Sequence, residues 1–266
     1  MKSYMISDIF KTHWSELTTD EMAMVLIYKS KLDYARHSGE MSLAGLYAIR
    51  IMQQLRKHSA VGELTVEQAV DCINDLSFIA DPWFMFPDLG VSSPFEAPPT
   101  HLKHHTLGQL YWMDSLFSKF IIQDYIDRRA HPPQDPSAIA EMYLDEMIGV
   151  IYTSPPAFDE RLISTRGNEI KKMLTHSART VILYSYANTK KFIIDEFPLT
   201  FPTREDDDET GVKAPVDSEP MWQSIVYDLS ESPAYPGTDK AKAAPMYEAL
   251  NYLERKHKEQ QKRKSA

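Results

Sequence analysis

Apolar residues recur at intervals of three and four along most of this chain, and the prolines are gathered in the stretches between. This spacing places apolar side chains on one face of a helix. The segments that show it are residues 25–35, 48–55, 65–78, 106–121, 140–151, 170–188, 222–229 and 246–253. The chain has only 9 glycines, which disfavours a turn-rich β fold. We therefore predict an all-α protein, a multi-helix bundle of about eight helices with Pro-rich and acidic connecting loops.

Helix start signals support several of these segments. Thr19 precedes two acidic residues, which is typical of an N-cap followed by an acidic first turn. Thr65 with Gln68 matches a capping box, and Thr106 precedes a strong apolar stripe. The segment 170–188 predicts one long helix. Residues 191–201 either finish that helix or form a short strand.

Breaks in composition divide the chain. A Pro-rich and aromatic stretch and an acidic stretch separate the helical parts, and the end of the chain is basic. The predicted regions are an N-terminal helical bundle (1–80), a Pro/aromatic-rich connection (81–105), a central helical region (106–201), an acidic mobile linker (202–220), a C-terminal helical element (221–254) and a basic tail (255–266).

The connection 81–105 contains four aromatic residues, Trp83, Phe84, Phe86 and Phe95, among its prolines. The prolines forbid regular helix, yet the aromatic residues are too apolar for a solvated linker. Either the connection packs over the helices as a cover for the core, or its aromatic side chains bind a partner. The sequence leaves both alternatives open.

Charge is distributed unevenly along the chain. Six cations stand against one carboxylate within residues 255–264; they are Arg255, Lys256, Lys258, Lys262, Arg263 and Lys264. This segment carries a formal charge of +5, so the remainder carries −14 of the net −9. The negative charge of the rest of the chain disfavours nucleic-acid binding over a broad surface, because a nucleic-acid-binding domain usually presents a net basic face. The basic tail either contacts phosphate or an acidic partner, or is a frayed and solvated helix end.

The single cysteine, Cys72, excludes an intramolecular disulfide and lies in an apolar pattern, so we expect it to be a small buried side chain. The N-terminus lacks the apolar stretch of a signal peptide, and no stretch approaches a membrane span. We expect a cytoplasmic protein that does not bind a membrane.

Motifs for catalysis and for metals are missing. His101, His104 and His105 are close in sequence, but no H-E-x-x-H pattern accompanies them, and we interpret them as a polar loop edge. Nucleophile elbows and phosphate-binding loops are also absent, and the acidic run 205–209 lacks the spacing of a calcium loop. We predict a protein that is not an enzyme, with no catalytic residue, no cofactor and no metal.

Three segments carry a resemblance to a known group of proteins. They are SPFEAPPTHLKHHTLGQLYWMDSLFSKF (93–120), AEMYLDEMIGVIYTSPPAFDERLISTR (140–166) and MWQSIVYDLSESPAYPGTDKAKAAPMYEALNYLERKHKEQ (221–260). In this order they resemble tail assembly chaperone-like proteins encoded near the tail genes of tailed phages and prophages of Bacteroidetes. The resemblance covers roughly residues 95–260.

The resemblance implies a non-enzymatic protein-interaction factor in tailed-phage morphogenesis, which holds a tape-measure or tube protein in the host cytoplasm before assembly. Such a protein is expected to present an apolar groove to helical clients. The partner-binding candidates are Trp83, Phe84, Phe86, Phe95, Tyr184, Tyr186 and Trp222. Two alternatives remain. The chain is a structural virion component (a connector or tail subunit, with homo-oligomers), or a nucleic-acid-associated regulator that uses the basic C-terminal tail.

Overall fold

The structure is a computed structural model, and it describes residues 10–57, 65–80, 86–89, 95–130, 136–202 and 219–264. Its α-helices are α1 (Thr19–His37), α2 (Met41–Leu55), α3 (Val66–Asp75), α4 (Ser77–Ala80), α5 (Leu107–Arg129), α6 (Ala138–Ile151), α7 (Ile163–Met173), α8 (His176–Glu196), α9 (Glu219–Ser230), α10 (Thr238–Ala243) and α11 (Met246–Lys264). Within the described residues the fold is all-α, as predicted, and the only β contacts are two isolated bridges.

The chain divides into two compact units. The first consists of Met1–Trp83 and Thr175–Ser185, and the second of Phe84–Leu174 and Tyr186–Ala266. The predicted central and C-terminal regions both fall largely in the second unit. The segment 175–185, predicted as part of the central region, belongs to the first unit. The predicted acidic linker falls almost entirely outside the described residues, which resume at Glu219.

The first unit is a small bundle in which α2 packs against both α1 and α3. Its core is formed by residues of the predicted apolar faces, among them Val25, Leu32 and Ile51, which are at most 1% exposed. The cap of α1 is Thr18 rather than the predicted Thr19. The Thr18 hydroxyl accepts from the Glu21 N–H, and the Glu21 carboxylate accepts from the Thr18 N–H.

Two predicted helices are interrupted. The helix begun at Thr65 was expected to reach about Phe78, but Leu76 leaves the helical region and α4 follows. This turn buries Phe78, whose carbonyl accepts from the Trp14 indole at 3.0 Å. The helix expected over 170–188 is broken at Leu174, which is extended, and the Thr175 hydroxyl accepts from the Ala178 N–H to begin α8. Residues 191–196 continue α8, so the strand alternative is wrong.

In the second unit α6 packs against both α5 and α7. Gly149 on α6 and Gly167 on α7 permit the close approach of these two helices. A Cβ on Gly167 would lie 3.0 Å from the backbone N and Cα of Glu146, and one on Gly149 would lie 3.2 Å from the Gly167 N. Helices α9, α10 and α11 pack against α5. The second unit is therefore organised around α5.

A buried ion pair joins α5 to the C-terminal half of α8. The Lys190 ammonium contacts the Asp114 carboxylate, and the two side chains are 17% and 1% exposed. The Phe117 ring lies 5.4 Å from the Lys190 Nζ and 5.3 Å from the Tyr186 ring. Burial first, and the negative charge of Asp114 second, raise the pKa of Tyr186. This polar pair within an apolar setting holds the C-terminal half of α8 against α5.

Candidate functional site

An open cleft of about 860 Å³ lies in the second unit. It lies between the first turns of α5, the irregular segment after α6, and α10. The lining residues are Thr106, Gly108, Trp112, Pro155, Pro156, Ala157, Phe158, Asp159, Glu160, Arg161, Leu162, Asp239, Lys242 and Ala243. Each of the three segments that carry the family resemblance supplies part of this lining.

The N-terminus of α5 holds the cleft together. Thr106 caps α5 as predicted, and with Gln109 it forms a capping box in which each side chain accepts from the other residue's backbone N–H. Gln109 is fully buried, and its amide nitrogen donates to the Thr153 carbonyl at 2.7 Å. The Leu107 N–H donates to the Ala244 carbonyl at 2.9 Å. The N-terminus of α5 therefore bonds to both of the other walls of the cleft, the segment after α6 and the end of α10.

His105, which directly precedes the cap residue Thr106, joins the same helix end to the end of α6. It is 2% exposed, and its Nε2 lies 2.8 Å from the Ile151 carbonyl, which requires the proton to be on Nε2. Burial is the largest influence on this imidazole and lowers its pKa. The interpretation of this histidine as a polar loop edge is wrong, since it is a core residue. His104 is exposed, and the His101 ring stacks on Phe192 with centroids 3.9 Å apart.

The second wall is the segment 154–162, which forms the 3₁₀ turns Pro155–Ala157 and Glu160–Leu162. Asp159 caps the second turn by accepting from the Arg161 N–H, and it also accepts from the Arg161 guanidinium at 3.1 and 2.8 Å. These bonds lower the pKa of Asp159. Arg166 of α7 donates to the Ala157 carbonyl and to the Thr153 hydroxyl. The wall is therefore held without regular secondary structure.

The side chains across the cleft meet at Glu160. Its carboxylate accepts from the Trp112 indole at 3.0 Å, and the Lys242 ammonium lies 3.8 Å from the same oxygen. Lys242 also lies 5.8 Å from the centroid of the Tyr111 ring. The charges of the cleft therefore largely satisfy one another.

Two neighbouring side chains on the rim of the cleft stay accessible. The Arg161 side chain is 85% exposed and Leu162 is 42% exposed. The lining contains no serine, cysteine or histidine, and the Thr106 hydroxyl is engaged in the helix cap. This chemistry suits binding of a polypeptide surface through an apolar contact flanked by a charge.

The aromatic residues predicted to bind a partner lie elsewhere. Phe86, Phe95, Tyr186 and Trp222 are between 0% and 7% exposed, so they are core residues and present no partner surface. Tyr184 is half-buried and packs against the small core cluster of Ala23, Leu26 and Val181. Trp83 and Phe84 lie outside the described residues.

Packing explains the burial of the described part of the Pro-rich connection. The Phe86 ring meets the Tyr152 ring edge to face at 6.4 Å, and the Tyr152 hydroxyl donates to the Pro87 carbonyl at 2.7 Å. Burial is the main cause that raises the pKa of Tyr152. For the residues described, the alternative in which this connection covers the core is correct.

The predicted basic tail is a continuation of α11, which runs to Lys264. Arg255, Lys258, Lys262 and Arg263 are exposed and Lys256 is half-buried, while the Lys264 side chain lies outside the description. The last core residue of this helix is Leu253, which is 1% exposed. The cations therefore lie on an ordered helical end.

Cys72 was expected to be buried, but it is only half-buried. Burial, and to a smaller extent the charges of Asp75 and Asp71, raise the pKa of its thiol. Within the described ranges, no group of three or more His, Cys, Asp or Glu side chains is placed to hold a metal ion. None of the described helices combines the length and the apolar character that crossing a membrane requires.

The sequence did not predict this cleft. Thr106 was predicted as a helix cap, but its pairing with Gln109 was not, and no residue that lines the cleft was predicted to bind a partner. The contact of Lys242 with the cleft was not predictable, because it depends on Glu160, which lies 82 residues away in sequence.

No protein-family model, no curated protein and no solved structure matches this chain.

Proposed function

We propose that the protein is a non-enzymatic interaction factor in tailed-phage morphogenesis, similar to tail assembly chaperones, and that the cleft beside α5 holds its client. The observation that carries the proposal is the convergence of the three resembling segments, which are separate in sequence, on this one cleft. The client class is a tape-measure or tube protein, bound in the host cytoplasm before the tail is assembled.

The chemistry of the cleft supports a protein client. Trp112 and the two prolines of the 155–157 turn supply apolar and aromatic surface, and the charged rim supplies orientation. The polar groups at the centre are already paired, as in the contact of Glu160 with the Trp112 indole. A client therefore adds contacts without having to break a buried ion pair.

The test is affinity capture of the tagged protein from cells that produce the phage, followed by mass spectrometry. The cleft variant carries Arg161→Glu and Leu162→Glu, which place two acidic groups on the exposed rim. The wild type is expected to recover a tape-measure or tube protein, and the cleft variant is expected to lose at least ten-fold of that recovery.

The chain offers a matched control on the far part of α5. Ile126 is 54% exposed, and the Arg128 side chain is 68% exposed and bonded to Asp124, much as Arg161 is bonded to Asp159. The pair Ile126→Glu and Arg128→Glu makes the same change in charge about 21 Å along the helix from Trp112. Equal recovery with both double variants, or no phage structural protein with the wild type, would overturn the proposal.

A further inference from the structure

The end of α11 extends well past its last buried residue. Leu253 is buried, Glu254 accepts from the Leu199 and Thr200 N–H groups, and the helix continues to Lys264, about 16 Å beyond Leu253. Arg255, Lys258 and Lys262 follow one another at intervals of three and four, so they share one helical face. We call these three residues the basic stripe. All three are exposed.

The cations of the basic stripe outnumber the carboxylates beside them, since Glu259, four residues after Arg255, is the one acidic residue within residues 255–264. Within the described part of the chain no ion pair involves Arg255, Lys258 or Lys262, and the Arg255 Nε donates only to the carbonyl of Asn251 in its own helix. The segment 255–264 carries +5 while the rest of the chain carries −14. At 0.1 M salt the screening length is about 10 Å, so the local positive charge governs what approaches the end of the helix.

We infer that the basic stripe binds the phosphate backbone of duplex nucleic acid, without sequence preference. Binding of this kind needs only cations, because the gain in free energy comes from counterions that leave the phosphates. The inference is independent of the proposed client.

The composition of the helix end selects this ligand over others. Residues 254–264 include no apolar side chain. A membrane-bound helix requires an apolar face, and a helix that docks in a protein groove requires apolar anchors. Lysine is also depleted at protein interfaces. Single-stranded nucleic acid is bound with the help of aromatic stacking, and this segment contains no aromatic residue.

The experiment measures anisotropy of a labelled 30-base-pair DNA duplex of random sequence, titrated with the full chain at 50 to 200 mM salt. If the stripe neutralises three phosphates, the logarithm of the association constant falls with that of the salt concentration with a slope of about −2.7. Over this four-fold range of salt the affinity falls about 40-fold. The stripe variant Arg255→Gln/Lys258→Gln/Lys262→Gln is expected to lose at least ten-fold in affinity at 50 mM salt.

A control variant separates the local stripe from the net charge. Lys103, Lys172 and Lys191 are exposed and dispersed, and changing all three to Gln gives the same net charge as the stripe variant. The control is expected to keep the wild-type affinity and slope. Equal losses in both variants, no binding by the wild type at 50 mM salt, or tighter binding to polyglutamate than to the duplex would each overturn the inference.

Discussion

Replacing Lys190 by Met tests how the C-terminal half of α8 is held on α5. The change removes the cation that faces the Asp114 carboxylate, which is 1% exposed. Breaking a buried pair from one side costs about 3–5 kcal/mol, because the remaining charge keeps its full desolvation penalty. We expect the free energy of unfolding of Lys190→Met to fall by about that amount.

The reverse change is expected to cost less. In Asp114→Asn the unpaired group is the Lys190 ammonium, whose side chain is 17% exposed and can turn its charge toward water. We expect a loss of about 1–3 kcal/mol. The double variant removes both charges, and its unfolding free energy should lie within about 2 kcal/mol of the wild type. The two single effects are therefore far from additive.

Urea unfolding followed by far-UV circular dichroism gives these free energies, with the slopes compared between variants. Lys191→Met is the matched control, since Lys191 is exposed on the same helix, and its effect should stay within about 0.5 kcal/mol. A loss below about 1 kcal/mol for Lys190→Met, or additive effects in the double variant, would refute the reasoning.

Three further predictions concern the second unit. Gly167→Ala should destabilise by about 1–2 kcal/mol, because overpacking against the Glu146 backbone outweighs the gain in helix propensity, and thermal unfolding measures it. Burial lowers the pKa of His105 in the folded state, so below about pH 6.5 the unfolded state takes up a proton that the folded state does not. The wild type therefore loses up to about 1.4 kcal/mol of unfolding free energy for each pH unit, until the folded state also takes up the proton. His105→Gln should make this loss of stability at low pH smaller. Glu254→Ala should cost about 2–3 kcal/mol in urea unfolding, because two backbone N–H groups beyond α8 donate to this carboxylate at 3.0 and 2.9 Å.

Each of these predictions has a distinct contrary result. A higher melting temperature for Gly167→Ala would mean that α6 and α7 lie farther apart than described. Identical pH profiles for the wild type and His105→Gln between pH 5 and 7 would mean that burial does not lower the pKa of the imidazole. An unchanged midpoint for Glu254→Ala would remove the capping role given to that carboxylate.

The helices were predictable because their signals are local. An apolar face and a capping box each depend on residues a few positions apart, and the box at Thr65 and the cap at Thr106 appear as predicted. The error at Thr19 has the same origin: both neighbouring threonines carry a hydroxyl, and only the reciprocal bond with Glu21 at the third helical position identifies Thr18 as the cap.

The breaks and the cleft were not predictable, since they depend on distant contacts. Leu76 leaves α3 where the chain turns to bury Phe78 beside Trp14, which lies 64 residues earlier. The cleft joins segments from the beginning, the middle and the end of the second unit. Aromatic residues in a Pro-rich stretch look alike whether they cover a core or await a partner, and only the packing of Phe86 decides between the two.

The most direct test of the client site is site-specific photo-crosslinking in phage-producing cells. A benzophenone amino acid replaces Leu162 on the rim of the cleft, or Ile126 on the far part of α5, both of which are exposed. The account predicts a crosslink to a tape-measure or tube protein from position 162 and none from position 126. A crosslink from position 126 alone, or none to any phage structural protein from position 162, would contradict it.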